Sequence, residues 1–204
     1  MIVKKKGLVS GEMRRIVTNL KIKDIEKKLG YSLKRNVYVL GVDTASTTGL
    51  CIIHANTNTL TLTTDIFKLP AAKKEDEFSD KYVEKLECML TLIREFKKKI
   101  KPPKDAILIL ENSFLSINPV TFGCLRMLCG IIYAELYDMF EHIHLVFPTH
   151  ARKVVGFKSQ LKKGVKREEK KKEIINWINE KFGIKETNDN ITDSILLALY
   201  GTKQ

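Results

Sequence analysis

Two apolar runs in this chain each end on a carboxylate, and that feature constrains the fold more than any other. Val37, Tyr38, Val39, Leu40 and Val42 lead into Asp43, and residues 106–110 lead into Glu111. Both runs are short and rich in β-formers, which predicts buried strands. The second run is unbroken, as expected of a central strand covered on both faces. A buried carboxylate without a partner is costly, so each acid needs a cation, a metal or several N–H groups. If the strands are parallel neighbours, both acids emerge at one sheet edge, where open α/β sheets bind ligands. After Asp43 come Thr44, Ser46, Thr47, Thr48 and Gly49. They read either as a donor-rich turn able to approach a phosphate, or as an Asx-type turn opening a hairpin.

The remaining elements fall into an α/β order. Residues 51–55 and 60–69 read as two further strands around an Asn56-Thr57-Asn58 turn, making an antiparallel meander with the first. Residues 75–101 predict a long amphipathic helix with Phe78, Tyr82, Val83, Leu86, Met89, Leu90, Ile93 and Phe96 on one face, stopped by Pro102 and Pro103. Residues 121–140 predict an apolar helix, buried or in a subunit interface. A short strand at 145–147 and a brief helix at 149–155 follow. Residues 173–182 predict a helix with Ile174, Ile175, Trp177 and Ile178 inward, and Asn188 caps a closing helix through Leu199. The expected architecture is a mixed five-stranded sheet flanked by helices, spanning 37–204. Residues 1–36 form a basic extension. Val17, Leu20, Ile22, Ile25 and Leu29 recur in it at helical spacing, ending at Gly30.

Charge narrows the partner. Lys plus Arg number 36 against 24 Asp plus Glu, a formal charge of +12. That balance favours a polyanion, nucleic acid before membrane. The basic residues concentrate ahead of the last two helices, at Lys153, Lys158, Lys162, Lys163, Lys166, Arg167 and Lys170–Lys172. They read as phosphate contacts or as a solvated helix face. No apolar run approaches the roughly 20 residues that span a bilayer, and residues 1–15 hold no apolar core of signal-peptide length, so a cytoplasmic protein is expected. Cys51, Cys88, Cys124 and Cys129 sit in apolar settings without CxxC pairing, which predicts reduced, packed thiols.

Asp189 and Asp193 are four apart at the start of the closing helix, hence on one face. Ile191, Ile195, Leu196 and Leu199 make up its apolar side. Helix-dipole complementarity accounts for Asp189 more easily than for Asp193. Converging carboxylates without His or Cys form a hard-oxygen site suited to Mg2+ or Mn2+. Two such ions can clamp the attacking and leaving oxygens of a phosphodiester.

Three stretches carry a resemblance: GVDTASTTG at 41–49, ENSFLSINPVTFGCLRMLCGIIYAEL at 111–136 and NDNITDSILLALYG at 188–201. In order and context they resemble the RuvC family of Holliday-junction resolvases, especially the compact phage and Gram-positive versions. The resemblance implies a ribonuclease H-like fold and a Mg2+-dependent endonuclease, with Mn2+ able to substitute. It implies a homodimer cutting four-way and other branched DNA to leave 5′ phosphates and 3′ hydroxyls. It places metal-binding, catalytic acids at Asp43, Glu111 and Asp193. The family's fourth acid falls on Asn190, with Asp189 as the substitute. Phe114 matches the aromatic that stacks near the junction crossover. Asn118 and Pro119 match the start of the dimer helix, with Gly130 at its close-packed point. Other readings stay open: an exonuclease or RNA-processing nuclease of the same superfold, an actin-like or sugar-kinase domain, and a non-catalytic junction-binding protein.

Overall fold

A computed structural model describes residues 16–70, 78–112, 119–161 and 164–203. Its centre is one mixed sheet of six strands in the order β1-β4-β3-β2-β5-β6. The strands are β1 (Ile16–Lys21), β2 (Val37–Asp43), β3 (Thr47–Ala55), β4 (Thr59–Lys68), β5 (Ile107–Glu111) and β6 (His142–Val146). The first four are antiparallel, while β2–β5 and β5–β6 are parallel. The helices are α1 (Ile22–Leu29), α2 (Phe78–Lys99), α3 (Pro119–Leu136), α4 (Pro148–Val154), α5 (Arg167–Phe182) and α6 (Asp189–Gly201).

Alternation along the central strands sorts the core into two layers. Leu40, Val42, Leu108 and Leu110 face one cluster with Met89, Ile93 and Phe96 of α2 and Leu128 and Ile132 of α3. Val39, Ile107 and Ile109 face the other, with Ile22 and Ile25 of α1, Ile174, Ile178 and Phe182 of α5, and Ile195 to Leu199 of α6. Each fully buried Leu or Ile stabilises the fold by about 1.5–3 kcal/mol, so both helical layers are held firmly to the sheet.

The five-stranded expectation gains a strand. The apolar residues at 17–29 do not make one helix: β1 pairs antiparallel with β4, and the short α1 follows it. The helical spacing was a composite of an edge strand and one amphipathic helix. The segment is tied down at its far end by Arg35, whose Nη1 and Nη2 donate to Glu26 Oε1 and Oε2 at 2.6 and 2.8 Å. That fork holds the Glu26 carboxyl below the usual carboxylate range. Three boundaries also move. Strand β3 starts at Thr47, β6 starts at His142, and α5 starts at Arg167 inside the basic stretch. Val83 is 52% exposed, outside the buried stripe of α2. Trp177 packs edge-on against Phe157, with ring centroids 5.8 Å apart, as a core residue.

Candidate active site

The parallel register of β2 and β5 pairs Val42 with Leu110, so Asp43 and Glu111 stand level at the next position. Period-two alternation puts Val39, Gly41 and Asp43 on one face with Ile107, Ile109 and Glu111, the face covered by α6. The helix lies unusually close there. A Cβ at Gly41 would overlap Ser194 O and Ala198 N, and one at Gly49 would overlap Asn190 O. A Cβ at Gly201 would overlap Val39 Cγ1. Glycine in a strand marks such a close approach. Gly49 therefore seats the first turn of α6, and the strand β3 begins before it. The hydroxyl-rich turn is the hairpin alternative: Thr48 Oγ1 donates to Ala45 O at 2.7 Å and is wholly buried.

Asn188 caps α6, its side chain accepting from the backbone N–H of Asn190 and Ile191 at 2.9 and 3.3 Å. That cap fixes where Asp189 and Asp193 enter the site. The four acids meet electrostatically at Asp43, which is only 7% exposed. Burial pushes the Asp43 carboxyl well above the usual range; a side-chain hydrogen bond to Glu111 and the charges of Glu111, Asp193 and Asp189 push it the same way. Asp189 belongs to this group, and Asn190 contributes its backbone to the packing against Gly49.

Two of the acids also have cationic partners that sequence reading missed. Arg152 Nη2 of α4 donates to Asp193 Oδ1 at 2.9 Å, and Lys171 Nζ of α5 contacts Asp189 Oδ2. These partners offset part of the negative charge of the two carboxylates. Among the described residues no three His, Cys, Asp or Glu side chains are gathered closely enough to hold one ion together. The donor chemistry nonetheless fits a hard divalent ion: every candidate ligand is a carboxylate, and Asp43 is buried among like charges that a cation would relieve.

No family model and no curated protein sequence matches the chain. Solved structures do. RuvC of T. thermophilus in complex with Holliday junction substrate superposes with a TM-score of 0.58 at 14% identity, covering 80% of this chain and 91% of that one. The Thermus thermophilus RuvC structure gives 0.51 at 13% identity, over 80% and 92%. The chain has a RuvC-like fold.

On that RuvC-like fold the other expected residues divide. Lys153, Lys158, Lys166, Arg167 and Lys170 are exposed, on α4, in the following loop and on the first turns of α5. Phe114, Asn118, Lys162 and Lys163 lie outside the described residues. Helix α3 buries Cys124, Leu128, Cys129, Ile132 and Leu136 against the sheet. Its opposite face leaves Met127 and Tyr133 45% and 47% exposed, with Tyr137 just beyond at 60%. Gly130 is exposed on that face, and a Cβ there would meet nothing. Among the described residues no helix is long and apolar enough to cross a membrane.

Proposed function

We propose that this chain is a divalent-metal-dependent endonuclease that resolves four-way DNA junctions as a homodimer. The observation that carries the reading is Asp43: a buried carboxyl bonded to Glu111, facing Asp189 and Asp193, at the sheet edge of a RuvC-like fold. A structural acid has no reason to be buried among three others, whereas a metal-binding acid does. The neighbouring RuvC structure holds a Holliday junction substrate, and its likeness to this chain supports branched DNA as the substrate.

In this reading Asp43, Glu111, Asp189 and Asp193 hold Mg2+, with Mn2+ as a substitute. The ions, when bound, promote hydroxide formation from water and stabilise the departing 3′ oxygen. The protein's own part is positional. Strands β2 and β5 fix Asp43 and Glu111 rigidly, and the capped, glycine-seated α6 holds its two acids over them. The exposed cations on α4, on the loop and at the start of α5 take the DNA backbone, reading shape more than sequence. Two nicks placed symmetrically in a four-way junction require two active sites, hence a twofold dimer. The exposed apolar side of α3 fits a second copy of the chain, with Gly130 allowing close approach.

Incubation with a synthetic four-way junction beside a linear duplex of the same sequence, with and without Mg2+, tests the reading. Paired, Mg2+-dependent nicks in the junction alone are expected. Degradation of the linear duplex would favour the exonuclease alternative. Tight junction binding without cleavage in either metal would make the protein a non-catalytic junction binder.

A further inference from the structure

The chain has four histidines, and two of them pack against aromatic rings. His54 meets Tyr38 with ring centroids 5.9 Å apart, and His150 meets Tyr200 at 5.6 Å. The other two, His142 and His144, are exposed, and among the described residues neither ring has a hydrogen-bond, ionic or aromatic partner. They lie two residues apart on β6, which ends the sheet. The register sets His142 beside Ile107 and His144 beside Ile109, so both stand on one face of the strand. At about 3.3 Å of rise per residue, their Cα atoms are about 6.6 Å apart. Two imidazoles side by side at that spacing can each turn one nitrogen toward a shared ion, at about 2.0–2.1 Å from each. The strand needs no rearrangement for this, because its pairing with β5 already fixes it.

An exposed edge strand calls for polar residues at alternate positions, and lysine is the usual device there. That requirement explains polarity but not two imidazoles. This chain has 36 Lys and Arg, yet β6, HIHLV, carries none of them. No fixed positive charge on the strand therefore opposes a cation, and the exposed Glu141 directly precedes His142. Imidazole selects Cu2+, Ni2+ and Zn2+, with Cu2+ bound most tightly, whereas Mg2+ prefers oxygen ligands. Val146 is level with Glu111, so His144 and His142 lie about 7 and 13 Å back along the strand from the acid end. The pair differs from the acid cluster in both place and donor chemistry.

We propose that His142 and His144 chelate one late first-row divalent ion, Cu2+ before Ni2+ or Zn2+, on the free edge of β6, with water in the remaining coordination positions. Among the described residues no third His, Cys, Asp or Glu joins the pair. The site is therefore open, and its ion exchanges more readily than one in a closed four-ligand site. This inference rests on the edge strand alone and holds whether or not the chain cuts DNA.

The test adds Cu2+ to the full chain carrying no histidine tag, in excess Mg2+, and follows binding by calorimetry and by electron paramagnetic resonance. The parent should take up one Cu2+ with the nitrogen splitting of two imidazoles. His142→Gln and His144→Gln should each lose about tenfold or more in Cu2+ affinity, since even the outer partners of metal ligands are worth that much. Each variant should show one coordinated nitrogen fewer, and both should melt at the parental temperature, because neither ring packs against anything described. His54→Gln, His150→Gln and Asp43→Asn should bind Cu2+ as the parent does. Ni2+ should bind more weakly than Cu2+ and be lost in the same two variants. Parental Cu2+ affinity in both His142→Gln and His144→Gln would overturn the proposal. A parent spectrum with a single imidazole nitrogen, or binding that depends on His150 or Asp43, would overturn it as well.

Discussion

The carboxyl of Asp43 hydrogen-bonds that of Glu111 across the ends of two parallel strands, with the Asp43 side chain buried. Two carboxyls in such a contact share a proton or a cation; they do not both sit there as bare anions.

The first consequence is a stability that falls as pH rises. Because the folded-state pKa of Asp43 lies above its unfolded value, the folded chain binds a proton more tightly than the unfolded one. Stability is therefore greatest in acid and is lost as pH climbs from the ordinary carboxylate range through the raised value. With metal chelated, Asp43→Asn should melt at a higher temperature than the parent at neutral pH. That advantage should vanish when both are measured near pH 4. An asparagine variant less stable than the parent at neutral pH would show that the carboxylate is satisfied by the protein itself.

The seat of α6 gives a second prediction. Gly41→Ala places a methyl group into the backbone of Ser194 and Ala198. Overpacking of this kind costs about 1–3 kcal/mol, here with backbone rather than a flexible side chain in the way. Chemical denaturation should register the loss, and cleavage should fall more than the stability loss explains, because Asp189 and Asp193 ride on the displaced helix.

The outer face of α3 separates two effects that usually travel together. Gly130→Ala adds a methyl into open space and removes a helix-interior glycine, worth about 1 kcal/mol of monomer stability. If a second copy packs closely there, the same methyl weakens the dimer. Sedimentation at graded concentrations should show Gly130→Ala and Tyr133→Arg shifted toward monomer, the first with an unchanged or raised melting temperature. Dimers of undiminished strength in both variants would move the interface elsewhere.

The exposed cations are tested by salt. Neutralising Lys158, Lys166, Arg167 and Lys170 should flatten the dependence of log affinity on log salt by about 0.9 for each duplex phosphate that is no longer neutralised. The fold should be little affected, since exposed charges contribute little to stability. A slope equal to the parent's would leave this surface as a solvated face.

Much of the fold was legible because it is written in short-range patterns. Strand Val37–Asp43 was bounded by its apolar run and its acid, and the closing helix by its Asn188 cap. The three-strand meander and the long α2 followed from alternation and from the proline stop. The edge strand β1 was not legible. An edge strand with both faces partly exposed has weak alternation, and its apolar residues ran on into those of α1. Within the candidate site, Asp43 and Glu111 stand out because they close strands, and Asp189 because it opens the closing helix, with Asp193 one turn further in. Arg152 and Lys171 do not stand out: Arg152 pairs with Asp193 41 residues away and Lys171 reaches Asp189 on another helix, and neither pairing leaves a local trace. At Gly49 the sequence leaves open a phosphate approach or a hairpin turn, and the neighbour that the missing side chain admits is the backbone of α6.

The central claim is that Asp43 is part of a metal-dependent nuclease site for junctions. The most direct measurement is cleavage of a labelled four-way junction by the parent and by Asp43→Asn, in Mg2+ and in Mn2+, with junction affinity measured in parallel. The account predicts paired nicks by the parent in either metal. For Asp43→Asn it predicts cleavage lower by orders of magnitude, with binding as tight or tighter because a charge facing the phosphate is removed. Asp43→Asn that cuts the junction at near-parental rate would contradict it.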